Sequence, residues 1–156
     1  MPIETERKYL VINDSFKNEA TASFAIAQGY ISTDPDRTVR IRLKGNDAFI
    51  TIKGKSSDDG LSRYEWEKSI TKEEFDELIQ LCLPGTIQKT RYLVPWGKYI
   101  IEVDEFIDLN SGLVIAEIEL DLDDIIGDLP TWIGQEVTGD AKYYNSQLMI
   151  RPYSQW

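Results

Sequence analysis

The sequence predicts an α+β protein in which antiparallel β-strands dominate, and three observations carry that prediction. Apolar and charged residues alternate with a period of two through much of the chain, as in Tyr64-Glu-Trp-Glu and Val114-Ile-Ala-Glu-Ile-Glu, which is the mark of strands with two unlike faces. The alternating segments are separated by short turns rich in Gly, Asn, Asp and Pro, which suit hairpins rather than long crossovers. Helical signals are confined to three short stretches.

The first strand runs from about Ile3 to Val11. Asn13, Asp14 or Ser15 can cap a short helix from Phe16 to Ala25. Ala27 to Ser32 follows as a short strand and ends at the turn Thr33-Asp-Pro-Asp36. Strands over about 38–44 and 48–54 are joined by Gly45-Asn46-Asp47, a hairpin signal. The polar loop Gly54 to Gly60 lacks the spacing of a phosphate-binding P-loop and leads into a strand over 62–70. Thr71 caps a helix from Lys72 to Leu83, with Glu74 completing a capping box and Phe75, Leu78, Ile79 and Cys82 forming its apolar stripe, until Pro84-Gly85 stops it. Strands follow at about 86–94, 98–107 and 113–122, linked at Trp96-Gly97 and at Asp108 to Gly112. The tail is irregular from Gly127 to Gly134, has a brief extended piece at Glu136 and Val137, and closes with a helix from Ala141 to Met149. Trp132, Tyr143, Tyr144 and Leu148 read as packing groups, and Lys142 as the residue of this tail placed to reach inward.

At 156 residues, with no linker and no internal repeat, the chain predicts one domain over 1–156 with a proper core. No stretch approaches the roughly 20 apolar residues of a membrane span. No basic-then-apolar leader precedes the first strand, so a cytoplasmic protein without membrane contact is expected. The net charge of -10 excludes general nucleic-acid binding, which needs a basic footprint. The absence of histidine excludes a histidine triad and a His-ligated zinc site. The single cysteine, Cys82, sits between leucines and reads as a packed, inert thiol.

The chemistry lies in charges spaced two apart. Glu4, Glu6 and Lys8 share one face of the first strand, an arrangement that pairs hard oxygen ligands with an anion-binding cation. Arg40, Arg42 and Lys44, then Lys53, then Lys89 and Arg91, make cationic strands. Glu65 and Glu67, Glu102 and Asp104, and Glu117 and Glu119 make anionic ones. In the last of these, Val114, Ala116, Ile118, Leu120 and Leu122 form the opposite, apolar face, as Ile101 and Val103 do beside Glu102 and Asp104. A solvated outer sheet face alternates in the same way but mixes its signs, whereas here whole strands carry one sign. A ligand set holding both a divalent metal and a polyanion accounts for both kinds of strand. Two topologies remain: an open sheet with a wet charged face, or a closed sheet whose charged faces meet across a tunnel.

The motifs resemble those of the CYTH superfamily, the triphosphate tunnel metalloenzymes. Glu4-Thr-Glu-Arg-Lys8 fits its Glu-x-Glu-x-Lys motif, and Val39-Arg-Ile-Arg42, Thr51-Ile-Lys53, Glu65-Trp-Glu67, Lys89-Thr-Arg-Tyr92, Glu102-Val-Asp104 and Glu117-Ile-Glu119 follow in the family's order and sign. The tail, with Leu129-Pro-Thr-Trp-Ile-Gly, Glu136-Val-Thr and Tyr143-Tyr-Asn, is similar to that of small bacterial members, so the resemblance spans the chain.

That resemblance implies a closed eight-stranded antiparallel tunnel barrel with a charged lumen and flanking helices. It implies metal-dependent hydrolysis of a triphosphate, foremost inorganic tripolyphosphate, by a monomer or homodimer using Mg²⁺ or Mn²⁺. It assigns the metal to Glu4, Glu6, Glu117 and Glu119, and phosphate clamping to Lys8, Arg40, Arg42, Lys53, Lys89 and Arg91. Glu65, Glu67, Glu102 and Asp104 become supporting lumen carboxylates. The proton of the attacking water would pass to a metal-bound hydroxide, a carboxylate, Lys8 or a tyrosine, and similar small bacterial enzymes point to the tyrosine of the second strand, Tyr30. Alternatives are a class IV adenylyl cyclase, a thiamine triphosphatase, or a non-catalytic polyphosphate-binding module.

Overall fold

In a computed structural model that describes residues 3–121, 124 and 126–156, eight antiparallel strands close on themselves. They are β1 (Ile3–Val11), β2 (Ala22–Ser32), β3 (Arg37–Lys44), β4 (Asp47–Ser56), β5 (Ser62–Ile70), β6 (Ile87–Trp96), β7 (Tyr99–Phe106) and β8 (Val114–Glu119). Around the ring the order is β5-β4-β3-β2-β6-β7-β8-β1, and β1 returns to β5 with Ile3 opposite Tyr64 and Thr5 opposite Ser62. The expected eight-stranded barrel forms, and a ninth strand, β9 (Ile133–Glu136), is added to it.

β1 makes this closure possible. Along one edge, Glu6 to Leu10 pair with β8; along the other, β5 takes Ile3 to Thr5 and β9 takes Tyr9 and Val11. Both edges of the first strand are therefore covered, and the seam offers no exposed edge to another chain. Gly45 at φ 62° makes the two-residue turn between β3 and β4, where Lys44 pairs directly with Asp47.

The helices are shorter than the sequence reading has them. The first, α1, covers only Phe16–Glu19; Ala20 is already extended, and β2 begins at Ala22 rather than at Ala27. Pairing decides this, because Ala22 to Gln28 align without interruption against Leu93 to Ile87 of β6, and a filled ladder overrides the weak helical preference of the alanines. The second, α2 (Lys72–Leu78), has the expected capping box, with Thr71 and Glu74 bonding each other's backbone amides, and tightens into a 3₁₀ turn over Ile79–Leu81. The closing helix is interrupted at Tyr144, whose extended backbone separates a 3₁₀ turn at Ala141–Tyr143 from α3 (Asn145–Leu148).

The apolar residues alternate away from the lumen, so the main cores lie outside the barrel wall. Ile101, Val103, Ala116 and Ile118 form the outer face of β7 and β8, as the alternation predicts, and pack with Phe16 and Trp132. Val114 and Leu120 join that cluster, while Leu122 lies outside the described residues. α2 covers β3 and β4 through Phe75, Ile41 and Ala48. Its following turn presses onto β2 at Gly29, where an added Cβ would meet Cys82 Sγ and Ile79 Cδ1 at 3.0 Å. Cys82 itself is half-buried, and burial pushes its thiol up, which suits the packed, inert reading.

Two substitutions probe these contacts. Phe16 is buried edge-on against Tyr92, with ring centroids 5.3 Å apart, so Phe16→Ala is expected to cost about 3–5 kcal/mol in urea unfolding. Thr71→Ala removes a cap alone and should cost about 1 kcal/mol.

Candidate active site

Closure turns the sign sorting of the strands into two arcs. β4, β3, β2 and β6 are contiguous in the ring, and all but β2, whose inward Gln28 and Tyr30 are neutral, carry inward cations, while β7, β8, β1 and β5 are contiguous and carry the inward carboxylates, with Lys8 of β1 among them. The arcs face each other across a cavity of about 300 Å³. One end of the tunnel is walled by apolar inward positions, Leu10, Tyr30, Ile87, Phe106 and Ile115, packed against Val137, Tyr143 and Leu148 of the tail.

Where the arcs meet, opposite charges are register partners. At the β6–β7 boundary Arg91 lies opposite Asp104 and bonds it twice, Nε to Oδ1 at 2.7 Å and Nη2 to Oδ2 at 2.9 Å, while Nη1 reaches Glu102 at 2.8 Å. Lys89 Nζ approaches the same Asp104 at 2.7 Å. Burial opposes ionisation of Asp104, but Lys89 and Arg91 overcome it and hold the carboxyl well below its usual range. Burial pulls the Lys89 ammonium down to about 7, with Asp104 opposing and Arg91 and Arg42 adding to the fall. Lys89 is fully enclosed and is not among the residues that line the cavity; its other partner is Asn145 Oδ1 at 3.4 Å.

At the β4–β5 boundary Lys53 lies opposite Glu65 and Thr51 opposite Glu67. Lys53 Nζ crosses to Glu4 at 2.7 Å. Burial raises the Glu4 carboxyl, but Lys53 and a hydrogen bond with Glu65 more than offset it and leave it below its ordinary value. Glu65 is pushed up to about 7 by burial and by its bond to Glu4. Thr51 joins the arcs, accepting from Arg40 Nη2 at 3.2 Å and donating to Glu67 at 2.8 Å.

Along β1 and β8, Glu6 faces Glu119 and Lys8 faces Glu117, with Lys8 Nζ 3.5 Å from Glu117. Burial lowers the Lys8 ammonium, yet Glu117, Glu6 and Glu4 outweigh it and raise it. The Glu6 carboxylate has no hydrogen-bond or ion-pair partner among the described residues, although its backbone amide donates to Leu61 O at 3.0 Å. Burial, then Glu117 and Glu4, push its carboxyl well above the ordinary value, and Glu119 is raised by burial, Glu4 and Glu102.

Among the described residues no three carboxylates converge closely enough to form a ready metal cage, because Glu4 turns to Lys53 and Glu117 to Lys8. The donor set nevertheless fits a hard divalent cation: oxygen ligands on adjacent strands that repel one another, one of them unpartnered.

Two guanidiniums of β3 are only loosely answered by acids: among the described residues Arg40 reaches Glu67 at 3.9 Å and Arg42 reaches none. Arg40 is buried, and its Nε has no partner. Arg42 bonds only the neutral Gln28, Nε to Oε1 at 3.0 Å; burial, then Arg40 and Arg91, pull its guanidinium down to about 9, still charged at neutral pH.

The site contains more than the charge pattern identified. Thr51 and Gln28 share the inward faces of Lys53 and Tyr30 but carry no charge, so a search for ions passes over them. Arg63, Thr138 and Tyr144 also line the cavity, and Tyr144 lies under Lys8, 5.1 Å from ring centroid to Nζ, rather than serving only as packing. Lys142 does not reach inward: it is exposed, with its Nζ over the rings of Tyr143 and Trp156.

A family model for the CYTH domain matches residues 2–152. The chain belongs to the CYTH domain family. This CYTH domain is 42% identical over 151 residues to an inorganic triphosphatase of Acetivibrio thermocellus, covering 96% of this chain and 95% of that one. It is 34% identical over 152 residues to an inorganic triphosphatase of Nitrosomonas europaea, covering 94% and 97%. A solved crystal structure of an inorganic triphosphatase superposes with a TM-score of 0.65 at 30% identity, over 94% of this chain and 97% of that one. The family is generally metal-dependent. Among the described residues no helix is long and apolar enough to cross a membrane.

The Asp104 cluster gives the CYTH domain an acid-sensitive element. A carboxyl held low in the folded state contributes stability that is complete above its unfolded pKa of about 3.9 and is lost as pH falls through the folded value. Thermal melts of the wild type should therefore weaken steadily below about pH 4. Asp104→Asn, which leaves buried Lys89 without an acid and Arg91 with Glu102 alone, should be about 3–5 kcal/mol less stable at pH 7 and show a flatter acid limb.

Proposed function

We propose that this chain is a metal-dependent triphosphatase that hydrolyses inorganic tripolyphosphate to diphosphate and phosphate. The observation that carries the reading is the pair of opposed arcs: partly unpartnered guanidiniums face mutually repelling carboxylates across a cavity too polar for an apolar ligand. A polyanion accompanied by a divalent cation answers both deficits at once. The names of the relatives, which match over nearly the whole chain, supply the choice of inorganic triphosphate.

In this reading Arg40 and Arg42, with Lys8 and Lys53, hold phosphate oxygens. Arg91 lines the cavity but is already held by two acids, and Lys89 with Asp104 fixes its position from behind. Glu6, Glu117 and Glu119, with Glu4, hold Mg²⁺ or Mn²⁺. When bound, the cation neutralises phosphate charge and polarises the terminal phosphoryl group. Water attacks the terminal phosphorus in line and gives its proton to a lumen carboxylate, the bond to the bridging oxygen breaks, and diphosphate leaves with the charge that the arginines stabilise. Tyr30 presents its phenol at the walled end of the same cavity.

The direct test is phosphate release from tripolyphosphate, ATP and thiamine triphosphate, each with Mg²⁺ or Mn²⁺ and with EDTA as control. Metal-dependent release with tripolyphosphate preferred is expected. Cyclic AMP from ATP, preference for thiamine triphosphate, or tight binding without turnover would each replace this reading with the corresponding alternative.

Two variants refine it. Outer-shell partners of metal ligands alone are worth about 10–100-fold, so Glu6→Gln should lose at least about 100-fold in turnover. Its melting temperature in EDTA should be unchanged or higher, because a repelled carboxylate is gone; a large fall would make Glu6 structural. Arg42→Ala should weaken tripolyphosphate binding about 10–100-fold, the range of a charged hydrogen bond. It should change the ligand-free melting temperature little, since relief of the repulsion from Arg40 and Arg91 offsets the lost bond to Gln28.

A further inference from the structure

Gln28 is completely buried on the inward face of β2, between the strands that carry Arg42 and Lys89. A buried amide is retained at such a position only where its polar atoms are answered. Both ends of this one are: Arg42 Nε donates to Oε1 at 3.0 Å, and Nε2 lies 3.4 Å from the hydroxyl of Tyr30. The direction of these bonds follows from the chemistry. A guanidinium can only donate, so the amide atom facing Arg42 must be the oxygen. The atom facing Tyr30 is then the NH₂ group, which can only donate, and the phenol oxygen must accept. With that lone pair engaged, the hydroxyl hydrogen of Tyr30 is left to point elsewhere, and Tyr30 lines the cavity.

We infer that Gln28 is a positioning residue: anchored by Arg42, it fixes Tyr30 as a hydrogen-bond donor into the tunnel, aimed at an oxygen of the bound triphosphate. The inference rests on the triphosphatase reading and deepens it. Tyr30 in this role holds charge on a phosphoryl oxygen during attack rather than removing the proton of the water. The chain Arg42, Gln28, Tyr30 also places a guanidinium and a phenol of one cavity wall under common control, so both can register on the same ligand.

The test is a kinetic double-mutant cycle with Gln28→Glu and Tyr30→Phe, measured on tripolyphosphate with the cation that supports wild-type turnover. Gln28→Glu keeps the acceptor for Arg42 but turns an acceptor toward Tyr30, which then donates to the new carboxylate and is lost to the substrate. Removing one preorganised donor to a developing oxyanion costs about 10²–10³ in kcat in other enzymes, and a fall of at least about 10-fold in kcat is expected here for each single variant. In the Tyr30→Phe background Gln28→Glu should lower kcat no further. Any rise in KM from neutralising Arg42 should persist in both backgrounds, which separates the two effects.

Equal kcat losses from Gln28→Glu with and without Tyr30, or wild-type kcat in either single variant, would overturn the inference while leaving the triphosphatase reading in place. Absence of turnover in the wild type would overturn both. Should Gln28→Glu fail to fold by circular dichroism, the volume-conserving Gln28→Met takes its place in the same cycle. Non-additivity in kcat again supports the inference, and additivity overturns it.

Discussion

The structure depends on the need to satisfy ions that face one another inside a closed ring. A barrel this small encloses its inward side chains, and an isolated charge there would cost several kcal/mol. Several acids of the lumen are therefore placed where a cation of another strand can reach them: Asp104 beside Arg91 and Lys89, Glu4 beside Lys53, Glu117 beside Lys8. Grouping the signs into arcs confines these pairs to the two boundaries and to Lys8. The middle of each arc is left with like charges, and that residue of unsatisfied charge is what a ligand would answer.

Filling the lumen with ions displaces the hydrophobic stabilisation outward. Most small barrels fill their interior with packed side chains, but here the apolar inward positions gather mainly at the walled end. The rest of the apolar surface is buried between the barrel wall and the segments laid on it: α1 and the Trp132 region over β7 and β8, and α2 over β3 and β4. Those segments are short and irregular because they serve as covers. Their stability comes from the sheet beneath them rather than from their own turns.

The tail serves both sides of this arrangement. Tyr143 and Leu148 close the apolar end of the tunnel, Asn145 meets Lys89, and Tyr144 lies under Lys8. The extended backbone at Tyr144 that interrupts the last helix is also what lets neighbouring residues face the cavity and the core in turn.

The sequence by itself determined the strands and their two faces, because a period of two is local and each strand carries its own: Ile101 and Val103 against Glu102 and Asp104 needs no partner to be read. It also determined which ions share an inward face, and through the order of its motifs the family. Tertiary structure decided what those ions do. Whether Glu4 serves a metal or Lys53, and whether Lys89 lines the cavity or lies behind it, depends on which strands are neighbours once the sheet closes. The extent of β2 was decided in the same way, by the ladder with β6 rather than by the alanines of its first half. Gln28 and Thr51 came to light only there, because neutral side chains in an alternating strand carry no signal until an arginine from another strand is brought beside them.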